Sequence, residues 1–200
     1  SMAEAATEVF DAIFLQRTDA AGDSVDTPEG ANVKRYGASQ GAYGIVKQRI
    51  SPLSTDVESE VAASLLAEML GMPCCRAWRF GDDAVFSAFE YDFTCEYLVH
   101  MRRLFDGPRG ENELENLLAV RPQYADDLYC MIAFDFITRQ DDRHLSNIAV
   151  LVTEGGESFY PLYDNGRSLF YEDTESFARK AAADPRAFAT TFGYVGTYWD

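Results

Sequence analysis

Asp142 stands five residues before Asn147 in the run Asp141-Asp142-Arg143-His144-Leu145-Ser146-Asn147, and Asp164 follows in Tyr163-Asp164-Asn165-Gly166. Phosphoryl transfer from a nucleoside triphosphate needs a carboxylate to orient the attacking hydroxyl. It also needs at least two hard oxygen donors to hold Mg²⁺ against the β- and γ-phosphates. Asp142 is read as the hydroxyl-orienting base, Asn147 and Asp164 as the metal ligands. An Asp and an Asn at such spacing can also simply build a turn; Asp164, arriving one hairpin later, is what shifts the reading to chemistry. Asp141 is a second carboxylate beside Asp142, and the choice between them rests on the distance to Asn147.

The same chemistry needs a fixed cation for the α- and β-phosphates and backbone amides to cover them. Lys47 follows the glycine-rich stretch Tyr36–Gly44, and no other lysine lies between Lys34 and Lys180. Gly37, Gly41 and Gly44 are read as a loop that lets its backbone approach the phosphates. The stretch fits neither the Walker pattern, because no Gly-Lys-Ser/Thr follows, nor the Gly-x-Gly-x-x-Gly of ordinary protein kinases. A lysine in this role takes a helical glutamate as partner, and Glu58 and Glu60 are both available. Helical periodicity points Glu58 inward, although a helix cap could occupy it.

Asp142-Arg143-His144-x-x-Asn147 with Asp164-Asn165-Gly166 resembles the catalytic and metal-binding motifs of HipA-like serine/threonine kinases and, more distantly, those of the phosphoinositide kinases. Phe134 to Asn147 is similar to that family's helix and catalytic loop, and Pro161 to Leu169 to its metal-aspartate segment; the resemblance spans residues 34–172. It implies a bilobal, protein-kinase-like α+β fold that binds ATP and Mg²⁺ and phosphorylates a protein serine or threonine, itself included. It favours Glu60 as the partner of Lys47, because Glu60 precedes Gly71 by eleven residues, as the family's glutamate precedes its helix-ending glycine. It marks Ser39 as an autophosphorylation site within the nucleotide-covering loop, and it brings an antitoxin-like partner into consideration. Two other readings stand beside it, a catalytically silent nucleotide-binding module and a lipid or small-molecule kinase.

The elements that must carry these residues follow from pattern. Ile45 to Ile50 reads as a strand. Thr55-Asp56-Val57-Glu58 has the form of a capping box, opening a helix whose apolar face is Val57, Val61, Leu65 and Met69 with Ala62, Leu66 and Leu70, and which Gly71-Met72-Pro73 stops. Cys75–Phe80 and Ala84–Phe89 read as a strand pair around Gly81-Asp82-Asp83, and Phe86 to Asp92 as the hinge that presents backbone to adenine. From Tyr91 the pattern becomes mostly helical over Tyr97–Phe105, Leu114–Val120 and Tyr124–Ile137. A hairpin joins 148–153 to 158–163. The expected division is a sheet-plus-helix nucleotide lobe over 1–90 and a mainly helical catalytic lobe over 91–200. Asp135 is expected to have a structural role, capping or pairing with an arginine of the catalytic segment, His144 to fix the catalytic loop, and His100 to be an ordinary surface or boundary residue on a helix.

A chain of 200 residues with 47% hydrophobic content can bury a sizeable core. Its net charge of −16 argues against direct nucleic-acid binding, and the lack of a basic amphipathic helix against a membrane-surface substrate. No signal-peptide pattern or long apolar run appears, so a cytoplasmic location is expected. The four cysteines, Cys74, Cys75, Cys95 and Cys130, lack zinc-ligand spacing and read as buried reduced thiols.

Overall fold

The computed structural model describes residues 34–92, 95–104, 113–140 and 142–169, with Tyr171, Arg179 and 182–183 beyond them. Asp141 and the Asp/Gly/Thr-rich stretch Thr18–Gly30 lie outside the described residues. Strand β1 (Lys34–Ser39) turns into β2 (Ala42–Gln48) through Gln40 and Gly41, whose φ values are 51° and 78°. Two residues at positive φ form the tight connection whose twist matches antiparallel strands. The glycine-rich stretch is therefore a β-hairpin and not an open loop, because Gly37 and Gly44 pair directly across the ladder. Gly44 is required by packing: a Cβ there would run into the Ser87 carbonyl oxygen, with Ala88 Cα and a Phe86 ring carbon at 2.9 Å.

Helix α1 (Asp56–Met69) follows, then β3 (Ala77–Arg79) and β4 (Ala84–Ala88), giving a four-stranded sheet in the order β1-β2-β4-β3. The capping box does not form. Thr55 caps the helix without a side-chain hydrogen bond, Glu58 turns to Arg49, and the Asp56 carboxylate accepts from Ser54 Oγ and from the backbone of Ile50. At the other end Gly71 takes φ 68°, its N–H bonds to Glu68 O and that of Met72 to Ala67 O, a Schellman ending.

The buried face of α1 differs from the apolar stripe in the sequence. Asp56, Val57, Ser59, Glu60, Ala63, Ser64 and Ala67 are buried, whereas Leu65, Met69 and Leu70 are exposed. Small residues let the helix sit close to its neighbours, so the fit of Ala63 and Ala67 into the main core outweighs the area offered by Leu65 and Met69.

Beyond the hinge, Tyr97–His100 forms strand β5, not the start of a helix; only Met101–Leu104 (α2) is helical there. Helices α3 (Glu113–Val120) and α4 (Ala125–Thr138) precede β6 (Ala149–Thr153) and β7 (Gly156–Phe159), and the second sheet has the order β5-β6-β7. Leu128, Met131 and Phe134 of α4 share a core with Ala63 and Ala67 of α1, Leu145, Ile148, Val150 and Leu162. Cys75 N–H to Leu162 O at 2.7 Å and Leu162 N–H to Pro73 O at 3.0 Å fasten the segment after α1 to the one that carries Asp164. Cys74 and Cys75 are shielded and burial pushes both thiols up to about 12, but Cys95 and Cys130 are exposed. Among the described residues no helix is long and apolar enough to cross a membrane.

Candidate active site

Lys47 lies on β2 directly opposite Lys34 of β1, and opposed residues of antiparallel strands point to the same face. Lys47 Nζ donates to Glu60 Oε1 at 2.9 Å and to Asp164 Oδ1 at 2.9 Å. Lys34 Nζ donates to the other oxygen of Asp164, at 3.1 Å. Burial alone would weaken the Lys47 ammonium; the Asp164 and Glu60 carboxylates outweigh it and hold the group above the usual lysine value. Burial likewise works against the charge of Asp164, and Lys47 with Lys34 still keeps its carboxyl below the ordinary range. Glu60, not Glu58, is thus the residue that meets Lys47. Glu58 forms a two-pronged pair with Arg49, at 2.7 Å for both bonds.

The loop that carries Asp142 and Asn147 is built around Arg143, which is 1% exposed. Its guanidinium takes both oxygens of Asp135 at 3.0 Å, the carbonyl of Asn147 at 3.2 Å, that of Tyr163 at 2.6 Å and the Asn165 side-chain oxygen at 2.5 Å. One buried cation therefore holds the Asn147 turn and the Asp164 segment together, and Asp135 supplies its counter-charge. Helix α4 ends with Arg139 at φ 57°, which turns Gln140 into the same layer. Gln140 Nε2 donates to Asp164 O at 2.9 Å and its Oε1 accepts the Asp142 N–H at 3.0 Å. Asp164 itself has φ 56°, a left-handed conformation that Asp tolerates better than most side chains.

Asp142 keeps its carboxylate at the surface, 35% exposed, with Arg167 Nε 3.5 Å from one oxygen and His144 Nε2 3.9 Å from the other. His144 Nδ1 accepts the Ser146 N–H at 3.2 Å and so caps the short 3₁₀ turn Leu145–Asn147. Asn147 donates its amide nitrogen to Asp142 O at 2.9 Å, which leaves Oδ1 as its side-chain donor for a cation. That oxygen and the Asp164 carboxylate are the hard donor set Mg²⁺ prefers, and two ammonium groups already supply positive charge at Asp164.

Gly37, Ser39, Gly41 and Gly44 are placed on the β1–β2 hairpin, where the Ser39 hydroxyl accepts from Trp78 Nε1 at 3.1 Å and Gly41 tips the turn with open space around it. At the hinge, Phe89 N–H bonds to Tyr43 O at 2.8 Å and Glu90 N–H to the Tyr160 hydroxyl at 2.9 Å. Lys34 and Gln140 join the site without having been singled out in the sequence. For Lys34 the signal was its position opposite Lys47 once the stretch is read as a hairpin; Gln140 carries no signal short of the turn at Arg139.

No family model and no curated sequence matches the chain. Among solved structures it is similar to the proinflammatory kinase CtkA of Helicobacter pylori, with TM-score 0.65 and 17% identity over 83% of this chain and 64% of that one. It is similar also to HipA of the Shewanella oneidensis MR-1 toxin–antitoxin system, solved with HipB and operator DNA, with TM-score 0.52 and 16% identity over 70% of this chain and 43% of that one. The chain thus spans 64% and 43% of the lengths of these two proteins. The likeness shows the fold: a mixed α/β, kinase-like chain with a small N-terminal sheet lobe followed by helices.

Proposed function

We propose that this chain is an ATP- and Mg²⁺-dependent phosphotransferase that passes the γ-phosphate to a serine or threonine hydroxyl of a protein, itself included. The observation that carries the proposal is the buried Lys47, bonded at once to Glu60 of α1 and to Asp164 of the segment that Arg143 ties to the catalytic loop. Asp142 is the group that orients the hydroxyl and takes its proton, as its half-buried but accessible carboxylate permits. Lys47, with Lys34 beside it, binds phosphate oxygens when released from Asp164. Asn147 Oδ1 and Asp164 hold Mg²⁺, which when bound supplies charge neutralisation at the β- and γ-phosphates. Ser39, on the hairpin, is the proposed self-modification site. An antitoxin-like partner, on resemblance alone, and a cytoplasmic location, on the sequence pattern, belong to the same proposal.

The test is transfer of labelled γ-phosphate with Mg²⁺ to a panel of protein, inositol-lipid and sugar acceptors, comparing the intact chain with Asp142→Ala and Asp164→Ala. Both substitutions are expected to lower turnover by about 10²–10⁴-fold. Intact-chain activity that either variant retains in full overturns the assignment of that residue. The alternative reading is a catalytically silent nucleotide-binding module. That reading predicts ATP binding with no transfer to any acceptor.

A further inference from the structure

The Tyr163 hydroxyl lies 3.0 Å from Ser146 O and 2.9 Å from His100 Nδ1. A carbonyl oxygen only accepts, so the single phenolic hydrogen goes to Ser146. Tyr163 must then accept from His100, and the His100 proton sits on Nδ1. Ser146 neighbours Asn147, and Tyr163 neighbours Asp164. The bond therefore links the two segments proposed to hold Mg²⁺ through the Tyr163 side chain and the Ser146 carbonyl, and Arg143 links them through the Asn147 and Tyr163 carbonyls. His100 is itself anchored at the end of β5, paired with Ala149, and the next residue, Met101, donates its N–H to Ile148 O at 2.8 Å.

We propose that His100 is a positioning residue: as the Nδ1–H tautomer it directs the Tyr163 hydroxyl onto Ser146 and so sets Asn147 relative to Asp164. The functional half of this proposal rests on the phosphotransferase reading; the tautomer half does not. The chain has two histidines, and the other, His144, accepts at Nδ1 from Ser146 N–H at 3.2 Å, closer than the 3.5 Å from Asn147 Nδ2 to its Nε2, which puts its proton on Nε2 when neutral. The two rings thus carry opposite tautomers. Groups that orient metal ligands from behind in this way typically contribute about 10–100-fold to metal affinity or activity.

The experiment is a long-range ¹H–¹⁵N correlation on the intact chain at about pH 8, where an unperturbed imidazole is neutral, together with Mg²⁺ titrations of ADP binding and of turnover. Expected are Nδ1–H at His100, Nε2–H at His144, and loss of the Nδ1–H preference at His100 in Tyr163→Phe. His100→Asn, whose amide nitrogen can stand in for Nδ1, is expected to stay within about twofold of the intact chain, and His100→Phe to raise the Mg²⁺ requirement about tenfold. Tyr163→Phe combined with His100→Phe should cost no more than either alone. An Nε2–H tautomer at His100, or an unchanged Mg²⁺ requirement in His100→Phe, overturns the proposal. If His100→Phe fails to fold, the tautomer and His100→Asn still decide it. A chain that transfers no phosphate but shows these tautomers and Mg²⁺ shifts in ADP binding sinks the phosphotransferase reading and leaves the relay standing.

Discussion

Glu58 and Glu60 stand two positions apart on α1 and meet different cations in different surroundings. The Glu60 carboxylate is 2% exposed against Lys47, whereas that of Glu58 is 42% exposed and shared by Arg49 and Arg79. Removing one partner of a buried ion pair is far costlier than removing one at the surface. Glu60→Ala is expected to lower unfolding stability by about 3 kcal/mol and to depress turnover; Glu58→Gln should cost about 1 kcal/mol and leave nucleotide affinity unchanged. Chemical denaturation and calorimetry measure both. Arg49 holds the Glu58 carboxyl down to about 2, so its pair stabilises the chain above the ordinary Glu pKa of about 4.3 and is lost as the pH falls from there toward 2. The gap in stability between intact chain and Glu58→Gln should therefore close over that window. A gap that persists at pH 2 contradicts the assignment.

At the level of elements, the reason Glu58 looked inward is that the apolar stripe of α1 is not its buried face. Periodicity weighs side-chain area, but α1 is seated by Ala63, Ala67, Ser64 and the obligation of Glu60 to reach Lys47. The resemblance pointed to Glu60, which meets Lys47, because the family's spacing to its helix-ending glycine, here the Schellman Gly71, counts along the backbone and ignores polarity. β5 was misread for a related reason: four residues, Tyr97–His100, are too few to separate a strand from the helical turn that follows. Asp142, Asn147 and Asp164 could be singled out in the sequence because the expected chemistry dictates residue types, whereas Lys34 and Gln140 enter through pairing and a turn. The hairpin gives a clean test. Gly44→Ala forces β2 from β4 and should cost about 2 kcal/mol, lowering Tm by about 2–4 °C per kcal/mol in a chain of this size. Gly41→Ala meets nothing within 4 Å and costs about 1 kcal/mol for its φ of 78° alone. Equal shifts in the two variants would contradict the close packing at Gly44.

Across the whole molecule, residues 164–169 and Tyr171 strap the sheet lobe to the helical one. Asp164 binds Lys47 and Lys34, a Cβ on Gly166 would lie 3.1 Å from Glu60 Oε2, Leu169 N–H reaches Thr138 O at 2.7 Å, and Thr55 N–H reaches Tyr171 O at 2.8 Å. With both oxygens of Asp164 engaged by lysines, the cations proposed to bind phosphate are already paired. ATP arriving without a divalent ion has to draw Lys47 and Lys34 away and leave a carboxylate uncompensated beside its own negative charge. With Mg²⁺ the exchange would be balanced, because Asp164 would hold the ion once Lys47 and Lys34 turn to phosphate. Asp164→Ala removes the competitor and the metal ligand together, so its effect should change sign with metal. One charged hydrogen bond is worth about 1.5 kcal/mol, or about tenfold in affinity. In EDTA, titration calorimetry is expected to show Asp164→Ala binding ATP about tenfold more tightly than the intact chain, and in excess Mg²⁺ the order reverses. Tighter binding by the intact chain under both conditions would mean that Lys47 and Lys34 do not have to leave Asp164 to meet the nucleotide, and the exchange at the centre of the site would be wrong.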